Sequence, residues 1–115
     1  MTKQPNPIAT MNDQFRQEGP SRALQGRMFT TAGIAALPSS VQAAIVAKVQ
    51  AFAAFTEDND PYGEHDFGSI DQPGAGRVFW KIDYYAAADM DAGSEGPANP
   101  AQSFRVLTIM LALEY

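Results

Sequence analysis

At 115 residues, with 45% hydrophobic and 18% charged side chains, the chain has the size and composition of one globular domain that can bury its own core. The lack of cysteine excludes disulfides, thiolate metal sites and a cysteine nucleophile, and a single histidine, His65, excludes every motif that needs two. Net charge is −5 and uneven: residues 1–56 hold five basic and two acidic side chains, residues 57–115 three and eleven, which disfavours direct nucleic-acid binding and favours a basic protein surface as partner.

Residues 1–7, with Pro5 and Pro7, read as a flexible lead, and a single domain is expected over 8–115. No apolar run near the start could form a signal-peptide core, and Val106 to Leu113 is too short to span a bilayer. A cytoplasmic protein without membrane contact is therefore expected. Ile8, Met11 and Phe15 recur at helical spacing and predict a helix over 8–18, stopped by Gly19-Pro20. Gly26 to Thr31 reads as a short strand.

Ser39 to Ala54 is expected to be the main core helix. Val41, Ile45, Val49 and Phe52 fall on one face, and Ser39 with Gln42 has the spacing of a capping box. Asp60-Pro61-Tyr62-Gly63 then has the residues of a type I turn. A strand is expected over 65–70, a hairpin connection over 71–76, and a strand over 77–85. Alternation in the last puts Val78, Trp80, Ile82 and Tyr84 on one face and Phe79, Lys81, Asp83 and Tyr85 on the other.

Residues 86–98 read as loop, and Asn99-Pro100 as an N-cap followed by a first-turn proline. Beyond Ser103 a strand would set Arg105 among Leu107, Ile109 and Leu111, so a final helix is expected instead. The order predicts an α+β fold: a small antiparallel sheet of about three strands, including a 65–70/77–85 hairpin, with helices packed on one face.

The chemistry concentrates in two places. Glu57, Asp58, Asp60, Glu64 and Asp66 form an acidic turn around Tyr62. Its Asp58, Asp60 and Gly63 match three positions of a calcium loop, but Tyr62 and Ser69 stand where ligands are needed, so no metal is assigned. Trp80, Lys81, Tyr84 and Tyr85 form an aromatic and charged strand of the kind that anchors interfaces. Both groups are candidates for partner binding. His65 is expected to bond Asp83 across the hairpin, because strand alternation sends Glu64 and Asp66 to the opposite face. No catalytic residue or cofactor is assigned.

The blocks Asn59-Asp60-Pro61-Tyr62-Gly63-Glu64-His65-Asp66-Phe67-Gly68, Phe79-Trp80-Lys81-Ile82-Asp83-Tyr84-Tyr85 and Arg105-Val106-Leu107-Thr108-Ile109-Met110-Leu111-Ala112 resemble an uncharacterised alphaproteobacterial family, domain of unknown function 3768. The likeness extends to Asn12-Asp13 and Phe15-Arg16, and departs at Ala86, Gly96 and Asn99, where acids would be expected. It implies a stand-alone protein of plasmids and other mobile elements, with no established activity. The reading favoured at this point is a small acidic, non-enzymatic binding protein that inhibits a host defence system (restriction or CRISPR interference) by protein contact. The alternative is a metal-assisted hydrolase or lyase centred on His65, Glu64 and Asp66.

Overall fold

Helix α1, Pro7–Glu18, starts where the Asn6 side chain accepts the Ile8 N–H at 2.9 Å and Pro7 supplies a preset first turn. It stops at Gly19, whose φ of 81° few other residues adopt and whose N–H bonds the Phe15 carbonyl at 2.8 Å. The computed structural model describes residues 6–115. Most of the expected flexible lead, residues 1–5, lies outside them, and Asn6 and Pro7 belong to the helix start rather than to a lead.

Strand β1, Gly26–Thr30, follows, then a four-residue helix α2, Ala32–Ala35, and helix α3, Ser39–Gln50. The expected helix to Ala54 ends four residues early. The capping box is also absent: Pro38 is the N-cap, and Gln42 donates instead to the Ala35 and Leu37 carbonyls at 3.1 and 2.8 Å, tying α3 back to α2.

Strands β2, Phe67–Gln72, and β3, Gly76–Tyr85, form the expected hairpin, closed by the Ala75 N–H to Gln72 carbonyl bond. His65 and Asp66 precede β2 rather than opening it, because His65 stands at φ 54°, outside any extended conformation. Asn99 does cap, but only a one-turn 3-10 helix over Pro100–Gln102.

The largest correction is at the C-terminus. Residues Phe104–Leu111 form strand β4, not a helix. It lies in the middle of the sheet, and six of its eight residues are buried, so its sequence runs almost uniformly apolar with no alternation to read. Val106, Thr108 and Ile109 are also β-branched and suit a strand. The sheet has four strands in the order β1-β4-β3-β2. It is mixed, not antiparallel throughout, because β1 pairs parallel with β4.

All three helices pack on one face of this sheet. Phe15, Ile34, Ile45 and Val49 meet Val78, Trp80, Ile82, Leu107 and Ile109 in a single core. Burial of each large apolar side chain contributes about 1.5–3 kcal/mol. Two close approaches require glycine: a Cβ on Gly26 would strike the Phe15 ring and the Arg105 carbonyl, and one on Gly68 would strike the Trp80 indole. On the opposite face Phe67, Phe79 and Tyr115 cluster with ring centroids 5.4–5.9 Å apart, Tyr115 edge to face with both phenylalanines. The chain end is fastened by Glu114, whose carboxylate accepts from Thr31, Gly33 and Leu111. No helix among the described residues is long and apolar enough to cross a membrane.

Candidate functional site

The polar residues of interest gather where α1 crosses the loop that leads into β2. Helix α1 presents Arg16 one turn beyond Asn12 and Asp13, the spacings of four and three at which helical side chains meet. Arg16 is 1% exposed and sits above the Phe55 and Trp80 rings, at 5.4 and 5.1 Å from their centroids. It donates to Asp13 at 3.0 Å and to the Phe52 carbonyl at 3.0 Å.

Asp13 also receives His65. Nδ1 lies 2.9 and 3.0 Å from its two oxygens, which requires the proton on that nitrogen, and the ring stacks on Phe55 at 3.8 Å with an interplanar angle of 1°. Nε2 stands 3.6 Å from Asp60 Oδ2. The expected bond to Asp83 is not formed; Asp83 pairs with Lys81 at 3.1 Å on the other face of the sheet. The strand argument fails because residues 64–66 are not extended. Asp60, with a side chain only 6% exposed, accepts the His65 backbone N–H and thereby holds the left-handed turn.

A second polar group adjoins the first. Asn12, fully buried, donates to the Glu64 carbonyl at 2.9 Å and the Tyr84 hydroxyl at 2.7 Å, and accepts from Arg105 Nε at 2.9 Å. Arg105 is equally buried, donates to the Pro97 carbonyl at 2.6 Å and lies over the Tyr84 ring. Burial lowers its pKa and raises that of Tyr84, whose rise the nearby Asp66 and Glu64 charges reinforce. Glu64 and Asp66 are half-buried beside each other, and desolvation first, then neighbouring carboxylates, raise both pKa values.

The candidates named from sequence therefore fall in three places. Glu57, Asp58 and Tyr62 are exposed on the loop, with Tyr62 84% exposed. Asp60, Glu64 and Asp66 turn inward. Of the strand group, Trp80 is fully buried in the core and cannot anchor a partner, and Tyr84 spends its hydroxyl on Asn12. Lys81 and Tyr85 lie on the opposite sheet face, away from the loop. Sequence reasoning missed Asn12, Asp13 and Arg16 as site residues; their spacing of three and four on one helix was the available signal. An open cleft of about 820 Å³ is lined by Phe55, Glu57, Asp60, Tyr62 and His65. Among the described residues, no group of three or more histidine, aspartate or glutamate side chains is arranged to hold a metal ion.

No curated protein and no solved structure matches the chain. Residues 30–114, from the end of β1 to the C-terminal turn, match a family described as protein of unknown function DUF3768, and the chain belongs to that family.

Proposed function

We propose that this protein is a non-enzymatic binding protein that docks its 56–63 loop on a basic protein surface. The observation that carries the reading is a hydrogen-bonded frame holding exposed side chains. Asn59 accepts the Thr56 N–H at 2.8 Å and donates to the Ala54 carbonyl at 2.9 Å, and the Gly63 N–H closes the turn on the Asp60 carbonyl. Glu57, Asp58 and Tyr62 project from that frame. An ordered loop loses little entropy on binding, and an exposed tyrosine among carboxylates suits a cationic groove.

The finer reading names the groove as the nucleic-acid channel of a host defence enzyme, and the protein as a cytoplasmic inhibitor encoded on an alphaproteobacterial mobile element. The acidic second half and the family likeness support it. Its test is DNA cleavage by restriction and CRISPR nucleases with the wild type and with Tyr62→Ala or the Glu57→Lys, Asp58→Lys double variant. Inhibition by the wild type that both variants lose supports the reading, and cleavage unaffected by the wild type overturns it. The alternative, a metal-assisted hydrolase or lyase, keeps one supporting observation, the His65 ring lining a cleft with Asp60 and Glu57. A melting temperature that stays flat across magnesium, calcium, manganese and zinc removes it.

A further inference from the structure

Strand β1 closes the sheet on the side away from the acidic loop, which leads into β2 at the other edge. The bonds from Arg105 N–H to the Gln25 carbonyl and from Thr31 N–H to the Ile109 carbonyl fix its orientation against β4. Odd-numbered residues turn their N–H and C=O to β4, so those of Gly26, Met28 and Thr30 point outward. Among the described residues these outward groups meet no partner. Residues 27–30 are exposed, Met28 on the helix-covered side at 36% and Phe29 on the other at 40%. Neither proline nor lysine guards the strand, though exposed edges are commonly protected that way.

We infer that two copies of this chain pair antiparallel through β1, joining two four-stranded sheets into one. With the two-fold axis at Met28, that residue faces its own symmetry mate and Gly26 faces Thr30, so all three outward residues exchange N–H to carbonyl bonds. In the same register Arg27 lies opposite Phe29 of the other copy on the open face. That cation–π pair is made twice, and no charge in the two strands faces a like charge. The overall charge distribution favours this edge as well. Pairing through β1 leaves the two acidic loops at the far ends of the joined sheet, about seven strand spacings of ~4.8 Å apart. That is several Debye lengths of ~8 Å at physiological salt, so their repulsion is screened. Pairing through β2 would bring them together. The dimer does not depend on what the acidic loop binds.

Sedimentation and light scattering on the full chain test it. The wild type is expected at twice its 12.4 kDa mass. Phe29→Lys sets an ammonium opposite Arg27 and is expected to raise the dimer Kd about tenfold or more. Phe29→Glu sets a carboxylate there and keeps or tightens the dimer. Phe29 is exposed, so both variants keep the fold. Met28→Pro removes an N–H that β4 does not use, and abolishes pairing while leaving the β1–β4 ladder in place. A wild type that stays monomeric at about 100 μM, weaker than any specific dimer of interest, overturns the inference. So does a dimer whose Kd is unchanged by Phe29→Lys.

Discussion

His65 turns its ring toward Asp13 and Arg16, whereas its two neighbours in sequence, Glu64 and Asp66, turn toward each other and Tyr84. The first group sets donors against an acceptor: one carboxylate serves a guanidinium and an imidazole, and aromatic faces of Phe55 and Trp80 cover the rest. The second sets like charges side by side in a half-buried place, and its carboxyls are held above their ordinary pKa values. Three consecutive residues thus feed one cluster of opposite partners and one of like charges. Proximity of charges says little until the sign and the partner of each are known.

Asn12 stands between the two groups, and its removal is expected to have the largest effect. Asn12→Ala leaves the Arg105 Nε, the Tyr84 hydroxyl and the Glu64 carbonyl without their shared partner. The buried Arg105 guanidinium keeps the Pro97 carbonyl but loses the acceptor of its Nε, and at about 1–3 kcal/mol for each buried group left unsatisfied the loss should reach about 3–5 kcal/mol. Urea denaturation at pH 7 measures it. A loss below about 1 kcal/mol, the worth of one ordinary hydrogen bond, would show that the network relaxes around the gap.

The next effect belongs to the paired side alone. His65→Ala frees the Asp13 carboxylate from one donor and strips the ring from Phe55. The expected cost is about 1–3 kcal/mol. Combined with Asp13→Asn, which also takes the carboxylate from Arg16, the loss should be smaller than the sum of the two single losses, because the His65–Asp13 contact is counted in both. Additive losses in the double-mutant cycle would break the assignment of His65 to Asp13.

The same comparison shows what a sequence can and cannot disclose here. The 8–18 helix, the 26–31 strand, the core helix and the hairpin follow from local periodicity and turn residues, and all four elements are present. Strand β4 was not legible, because burial on both faces erases alternation. Arg105 also read as a charge that a core strand would not tolerate. It is tolerated because Asn12 and Pro97, 93 and 8 residues distant, supply acceptors that no local pattern reveals. The partner of His65 failed for the same reason. Sequence placed it beyond its neighbours, which holds, but named Asp83 from an assumed strand, while a turn at His65 aims the ring at Asp13, 52 residues away. The parallel pairing of β1 with β4 likewise joins segments separated by most of the chain.

The smallest effect is the one stabilising change, and it isolates the like-charged side. Asp66→Asn keeps the shape and the carbonyl that accepts the Ile82 N–H, and removes one charge from the Glu64 pair. A carboxyl whose folded pKa is raised binds its proton more tightly in the folded state than in the unfolded chain. Its favourable contribution is full below the unfolded value and is lost as pH rises through the raised folded value. On the alkaline side of the raised value that contribution is lost, so there Asp66→Asn should melt slightly above the wild type. As pH falls from neutral through the raised values of Glu64 and Asp66, the wild type should gain on the variant until the difference closes. Glu114 provides the opposite sign within the same molecule. Hydrogen bonds, first from Thr31, lower its pKa, so its contribution is full above the ordinary glutamate value and is lost only as pH falls through the depressed one. Glu114→Gln should therefore melt below the wild type at neutral pH and converge with it only in stronger acid. Parallel melting curves for the wild type and Asp66→Asn across that pH range would mean that Glu64 and Asp66 do not oppose each other in the folded protein.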